Sequence, residues 1–129
     1  MILLDTHTLI WATAEPAKLS RAATDAIRKA SQEGGTAIAA ITLWELAWLA
    51  THRRLQITGT VEAYLGEITA RVAIRPISAQ IAALANQFSA SFPSDPCDRL
   101  IGATALAEAI PLVTKDANIR RSRQVEVIW

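Results

Sequence analysis

Short apolar runs, each too brief for a helix, alternate in this chain with longer stretches of helical spacing. The short runs are Ile2 to Leu4, Thr36 to Ala39, Val72 to Ile77, Pro111 to Thr114 and Val125 to Ile128. Runs of this length suit buried strands. Thr6 to Ala14 has helical spacing. Ser20 is placed to cap a helix from Arg21 to about Gln32, whose Ala22, Ala23, Ala26, Ile27 and Ala30 make one stripe. Gly34-Gly35 ends it. Thr42 reads as the cap of a helix reaching about His52, Val61 to Ala70 as another, and Ser78 as the cap of Ala79 to Phe88. Asp95-Pro96 opens a helix to about Ala109, since Pro suits the first helical position. Ala117 to Arg121 is a short last helix. Pro76 demotes the third apolar run to a strand end or edge. Strands that alternate with helices predict an α/β fold, a central parallel sheet flanked by helices, in a single domain over residues 1–129.

Composition closes off other classes. The chain is 51% hydrophobic and 19% charged, which is globular rather than disordered. Its single cysteine excludes an internal disulfide and a cysteine-based zinc site, and suits a reducing cytosol. No apolar run approaches the roughly 20 residues of a membrane span, and the start lacks a signal peptide's basic region. A cytoplasmic protein is expected. The formal net charge is only +1. If the acids gather in one place, the basic residues dominate the remaining surface.

Four acids stand where such gathering is expected. Asp5 ends the first apolar run, Glu45 lies in Thr42-Leu-Trp-Glu45, Asp98 opens Asp98-Arg-Leu-Ile-Gly-Ala-Thr104, and Asp116 ends Pro111-Leu-Val-Thr-Lys-Asp116. In a parallel α/β sheet the strand ends converge on one crevice. Carboxylates that meet there repel one another, and a hard divalent cation with oxygen ligands relieves the repulsion. Each acid also has a purely structural reading. Asp5 and Asp116 are placed as N-caps, Thr42 with Glu45 fits a capping box, and Asp98 sits in a first turn where the helix dipole favours an anion. Against this, Glu45 is the one charge between Ile41 and Ala50, and a lone buried carboxylate is costly without a partner.

The remaining polar residues say less. His7 and His52 lack metal-site spacing to each other. Cys97 reads as a small apolar residue without a base beside it. Lys115, Arg120, Arg121 and Arg123 follow one another closely around Asp116 and are either solvated surface or phosphate contacts. Trp11, Trp44, Trp48 and Leu49 read mostly as core, while Trp44 and Trp48, four apart on one helix face, also suit an extension to an interface.

Taken in order, Leu4-Asp5-Thr6-His7 with Leu9-Ile10-Trp11, Thr42-Leu-Trp-Glu45, Asp95-Pro-Cys-Asp98-Arg99-Leu-Ile-Gly-Ala-Thr104 and Leu112-Val-Thr-Lys-Asp116 resemble the PIN-domain ribonucleases. More closely, the chain resembles the VapC-type toxins of bacterial toxin–antitoxin pairs. Arg53-Arg54-Leu55 departs from the Gly-Arg-Leu often found there, and Pro93 stands where relatives often have His. The resemblance implies a PIN-like fold and Mg²⁺ or Mn²⁺ held by Asp5, Glu45, Asp98 and Asp116. It implies Thr114 as a hydroxyl steadying a ligand or water, and Arg99 as a residue that orients Asp98 or meets phosphate. Asp95 is then the helix cap. It further implies cleavage of cellular RNA that halts translation, a homodimer, and a VapB-type antitoxin that lays a helix into a groove.

Two other readings fit parts of the pattern. A phosphatase of the haloacid dehalogenase type also begins with a strand ending in Asp, but needs a second Asp two residues on, where His7 stands. A catalytically silent PIN-like domain that only binds RNA or a partner would keep the fold without the chemistry.

Overall fold

The computed structural model describes residues 1–129. Its strands are β1 (Ile2–Leu4), β2 (Thr36–Ala39), β3 (Ala73–Arg75), β4 (Leu112–Val113) and β5 (Val127–Ile128). Its helices are α1 (Thr6–Ala14), α2 (Arg21–Gln32), α3 (Ala40–Thr51), α4 (Val61–Thr69), α5 (Ala79–Ala85), α6 (Pro96–Glu108) and α7 (Ala117–Ser122). All strand pairs are parallel, in the order β3-β2-β1-β4-β5. This is the α/β architecture that the alternation predicts, and β3 is an edge strand, as Pro76 after it requires.

Side chains alternate across the sheet with period two. Leu3, Ala37, Ala39 and Leu112 face one way and pack with α5, α6 and α7 through Ile81, Ala85, Ile101, Ala103, Ala105 and Ile119. Ile2, Leu4, Ile38 and Val113 face the other way and pack with α1 to α4 through Leu9, Ile10, Ala23, Ala30, Leu46 and Ile68. Register fixes the first row, because Leu3 pairs with Ala37 on one side and Leu112 on the other. Ala37 and Ala39 are small, as are the buried Ala103 and Ala105 of α6, so this helix lies close over β2.

Strand order decides where a ligand can sit. From β1 the chain builds outward through β2 and β3, then returns to place β4 on the other side of β1. The order reverses at β1–β4, and crevices for ligands open at the carboxyl ends of strands at such a switch point.

The strands β3, β4 and β5 are shorter than the apolar runs that carry them, and two helix boundaries differ clearly from the sequence reading. α3 begins at Ala40, with Ala39 as N-cap and no side-chain cap bond, so Thr42 lies inside the helix and caps nothing. α5 stops at Ala85 rather than Phe88. The last turn tightens as the Asn86 and Gln87 N–H groups donate to Ala83 and Leu84. Phe88 then turns inward and stacks on Phe92, ring centroids 4.1 Å apart. Gly102 of α6 admits this stack: a Cβ there would stand 2.6 Å from Phe92 Cζ. The small residue in α6 thus makes room for an aromatic pair.

At the end of α3 the Arg53 N–H donates to Ala50 and the Arg54 N–H to Leu49, the paired bonds of a Schellman motif. Arg53 has φ 58°, a left-handed conformation that favours Gly. The departure from Gly therefore falls on the residue where a side chain is strained.

Candidate active site

Asp5 and Asp116 occupy the switch point. Asp5 directly follows β1, and its N–H donates to the Val113 carbonyl of β4 at 3.2 Å. Its Oδ1 accepts from the Thr8 N–H at 2.7 Å and so caps α1. Asp116 Oδ1 caps α7, accepting from the Asn118 and Ile119 N–H groups at 2.8 and 3.1 Å. Capping does not compete with a site here. It ties one oxygen of each carboxylate to a helix start at the mouth of the crevice, and no protein group donates to the other oxygen. The Thr8 hydroxyl, fully buried, donates to the Val113 carbonyl at 3.0 Å and locks α1 to β4.

Glu45 arrives from α3. Its Oε1 accepts a 2.6 Å bond from the Thr6 hydroxyl, 39 residues away in sequence. Thr6 Oγ1 also lies 3.1 Å from Thr42 Oγ1. Thr6 has one proton and gives it to Glu45, so Thr42 is the donor in the second bond. The capping-box reading of Thr42 and Glu45 is thereby corrected. Both threonines are buried, and the chain Thr42–Thr6–Glu45 aims the carboxylate at Asp5's side of the sheet.

Asp98 arrives from the first turn of α6. Asp95 caps that helix, accepting from the Cys97 and Asp98 N–H groups at 2.8 and 3.1 Å. Nothing in the protein donates to the Asp98 carboxylate. The chain's ion pairs are Lys18–Glu15, Arg28–Asp25 and Arg75–Glu108, so no Lys or Arg neutralises any of these acids.

One cavity of about 420 Å³ is lined by Asp5, Thr6, His7, Trp11, Glu45, Asp95, Asp98, Ile101, Lys115 and Asp116. Its electrostatics follow from burial and like charge. Burial, then the charges of Asp95, Asp116, Glu45 and Asp5, push the Asp98 carboxyl up to about 7. Burial also raises Glu45; the Thr6 bond opposes this, Asp95 adds to it, His7 opposes it and Asp5 adds to it. The same surroundings suppress a cysteine nucleophile: burial and the charges of Glu45, Asp95 and Asp98 push the Cys97 thiol up to about 11.

The donors are carboxylate and hydroxyl oxygens, the set suited to Mg²⁺ or Mn²⁺. The raised, unpaired Asp98 fits a place for a cation. Yet no three acidic, imidazole or thiol side chains stand close enough to form a ready-made ligand cluster.

The other expected residues fall differently. Thr114 is buried, and its hydroxyl accepts from the Asp116 N–H at 3.1 Å, shaping the turn that carries Asp116 rather than lining the cavity. Arg99 is corrected outright. It neither orients Asp98 nor faces the cavity. Its Nε donates to Pro93 at 2.9 Å, and its terminal nitrogens to the carbonyls of Ala85, Phe88, Ser89 and Phe92. An arginine has five donors, and all are used to hold the segment between α5 and α6. The basic group near Asp116 also divides: only Lys115 lines the acidic cavity. Arg120 and Arg123 line a separate cavity of about 610 Å³ at the β5 edge, mostly apolar and without the acids. Of the other lining residues, sequence reasoning gave Thr6 and Trp11 no place in the site, set His7 aside, and named Lys115 only as one of a basic group. A hydroxyl directly after Asp5 and a cation directly before Asp116 were the available signals.

A PIN domain family profile matches residues 2–124. Ribonuclease VapC22 of Mycobacterium tuberculosis is 43% identical over 122 residues, covering 95% of this chain and 92% of that protein. VapBC2 of Rickettsia felis, solved bound to a promoter DNA fragment, superposes with a TM-score of 0.75 at 20% identity, over 98% of this chain and 97% of that one. A toxin–antitoxin complex from Klebsiella pneumoniae gives 0.69 at 21% identity, over 100% and 97%. Family profile, sequence identity and topology agree: this chain belongs to the PIN-domain family, on its VapC side.

Proposed function

We propose that this protein is a divalent-metal-dependent endoribonuclease, the toxin of a toxin–antitoxin pair. The observation that carries the reading is the convergence of Asp5, Glu45, Asp98 and Asp116 on one cavity without a single neutralising Lys or Arg bond. Unpaired acids at this density destabilise a fold, and a use for them explains their presence. The 43% identity to a protein named as a ribonuclease supplies the reaction class.

We assign all four acids to Mg²⁺ or Mn²⁺: one or two would hold the ion directly and the others through its waters. Asp5 and Asp116 each keep one oxygen free of a helix cap, Glu45 keeps Oε2 free while Thr6 holds Oε1, and both oxygens of Asp98 are free. A bound cation would lower the pKa of water and stabilise charge on the phosphodiester oxygens. The acids hold the ion and do not attack. Thr42, Thr6 and the helix caps fix the Glu45, Asp5 and Asp116 carboxylates before substrate arrives, so little reorganisation of these three remains. Thr114 supports Asp116 through the backbone. Hydrolysis by water leaves a 5′-phosphate and a 3′-hydroxyl. Targets are single-stranded or loop RNA, whose unpaired backbone fits an open cavity.

A VapB-type antitoxin is the partner we infer, since VapBC complexes share this fold across nearly the whole chain. The surface we assign to partner or dimer contact is α3. There Trp44 is 58% exposed. Trp48 stacks on His52 at 4.0 Å with Arg54 at 5.3 Å from its ring. No helix is long and apolar enough to cross a membrane, and we place the protein in the cytoplasm as a homodimer of single PIN domains over residues 1–129. The test is expression in a bacterium. Wild type should stop growth, Asp5→Asn should not, and co-expression of the neighbouring antitoxin gene should restore it. A catalytically silent RNA- or partner-binding domain is the second reading, favoured by the absence of a compact ligand cluster. It predicts equal toxicity from a folded Asp5→Asn protein.

A further inference from the structure

Lys115 is the one Lys or Arg that lines a cavity otherwise charged by carboxylates. It is exposed, sits next to Asp116 in sequence, and still makes no ion pair. Its Nζ instead stands 5.8 Å over the ring of Trp11, which also lines the cavity. Trp11 is half-buried and packs beside two other rings, His7 5.9 Å and Trp129 5.8 Å away. The packing fixes the ring, so the ring fixes the ammonium.

The partner chosen by Lys115 is decisive. A carboxylate contact would cancel its charge. An aromatic face attracts the ammonium weakly and leaves the charge in place. The result is a free cation held at the rim of an acidic cavity. With no metal bound, an RNA phosphate approaching Asp5, Glu45, Asp98 and Asp116 meets repulsion, and Lys115 is the one Lys or Arg at the rim to offset it. Arg120 and Arg123 do not serve, since they line the other cavity, and the Arg121 guanidinium donates to Asn118.

We propose that Lys115 is the residue that binds the RNA phosphate at this site, and that Trp11 is its positioning residue. The inference rests on the ribonuclease reading and deepens it. Lys115 keeps its place over the Trp11 face and donates an ammonium proton to a non-bridging phosphate oxygen, and no covalent bond is made or broken.

The test uses the full chain and a pool of single-stranded RNA oligonucleotides. Affinity is measured with metal chelated, and KM and kcat with Mg²⁺ or Mn²⁺, across a salt series. Lys115→Ala should reduce the slope of log affinity against log salt by about 0.7, the release expected for one phosphate contact on a single strand. It should raise KM more than it lowers kcat, and Lys115→Arg should restore both. Trp11→Leu should raise KM by about two- to fivefold, the equivalent of an exposed cation–π contact. Trp11→Phe should retain most of the effect of Trp if the leucine variant folds poorly. In a Lys115→Ala background Trp11→Leu should add nothing, which a merely structural Trp11 would not obey. Arg120→Ala should leave KM unchanged. Unaltered KM and salt slope in Lys115→Ala, with wild type cleaving RNA, would overturn this inference alone. A folded wild type that cleaves no RNA with either metal would overturn the ribonuclease reading as well.

Discussion

Asp98→Asn should make the metal-free protein more stable while removing its activity. Asp98 carries a charge that the fold does not want: no protein donor reaches its carboxylate, and burial with the surrounding acids pushes it up to about 7 from 3.8. The sign follows from proton counts. Between these two values the native state holds a proton that the unfolded chain has released, so stability falls as pH rises through the window. The loss is complete above the folded value and absent below about pH 4. At about 1.4 kcal/mol for each pH unit between the two values, discounted for the side chain's remaining solvent contact, the cost is ~1–2 kcal/mol. For a domain of this size that is roughly 3–8 °C in melting temperature. Asparagine keeps the shape and drops the charge. Thermal unfolding with metal chelated should therefore show the variant melting higher at pH 8 and equal to wild type near pH 4. Adding Mg²⁺ should raise wild type at pH 8, by about 2.7 kcal/mol at a hundredfold excess over its dissociation constant, and raise the variant far less. A pH-independent difference, or a variant that melts lower at pH 8, would refute the electrostatic account of this site.

Three further substitutions test separate parts of the structure. Thr6→Val removes the 2.6 Å donor to Glu45 and leaves Thr42 without an acceptor, so it should cost about 1–3 kcal/mol in denaturant unfolding. Cleavage should also shift to higher pH, because that donor holds Glu45 down. Gly102→Ala forces a Cβ to 2.6 Å from Phe92 and should cost about 1–3 kcal/mol, read by the same unfolding assay. Arg53→Gly should stabilise by about 0.5–1 kcal/mol, as relief of the left-handed strain at φ 58° exceeds the added freedom of the unfolded chain. An unchanged or lowered midpoint would mean that the Schellman turn holds Arg53 without strain.

The sheet was legible because its signals are local. The apolar runs are short and bounded by Gly, Pro and capping residues, and β1, α1, α2 and β2 fall where that pattern puts them. Thr42 misled for an instructive reason. A threonine three residues before a glutamate has the spacing of a capping box, but that spacing also places both side chains on one face of a helix. Only the long-range partner, Thr6, decides which reading holds, and a separation of 39 residues leaves no local trace. Arg99 misled similarly. Its neighbour Asp98 suggested an ion pair, whereas the carbonyls that claim its donors come from a segment that sequence spacing reads only as a loop. The acids were found as a group because strand ends must converge at a topological reversal. That rule places Asp5 and Asp116 but is silent on Trp11 and Lys115, which meet through tertiary packing. Capping by Asp5 and Asp116 leaves the site reading open, because each carboxylate has two oxygens and the cap uses one.

The central claim is that these acids exist to hold a cation that cuts RNA. The most direct measurement is cleavage of single-stranded RNA by purified protein, wild type against Asp5→Asn, with Mg²⁺ or Mn²⁺ and again with a chelator. Wild type should cleave only with metal and leave 5′-phosphate ends. Asp5→Asn should keep its melting temperature within a few degrees, since asparagine still caps α1, and lose activity by at least about a hundredfold. Metal-independent cleavage, or an Asp5→Asn protein as active as wild type, would contradict the account.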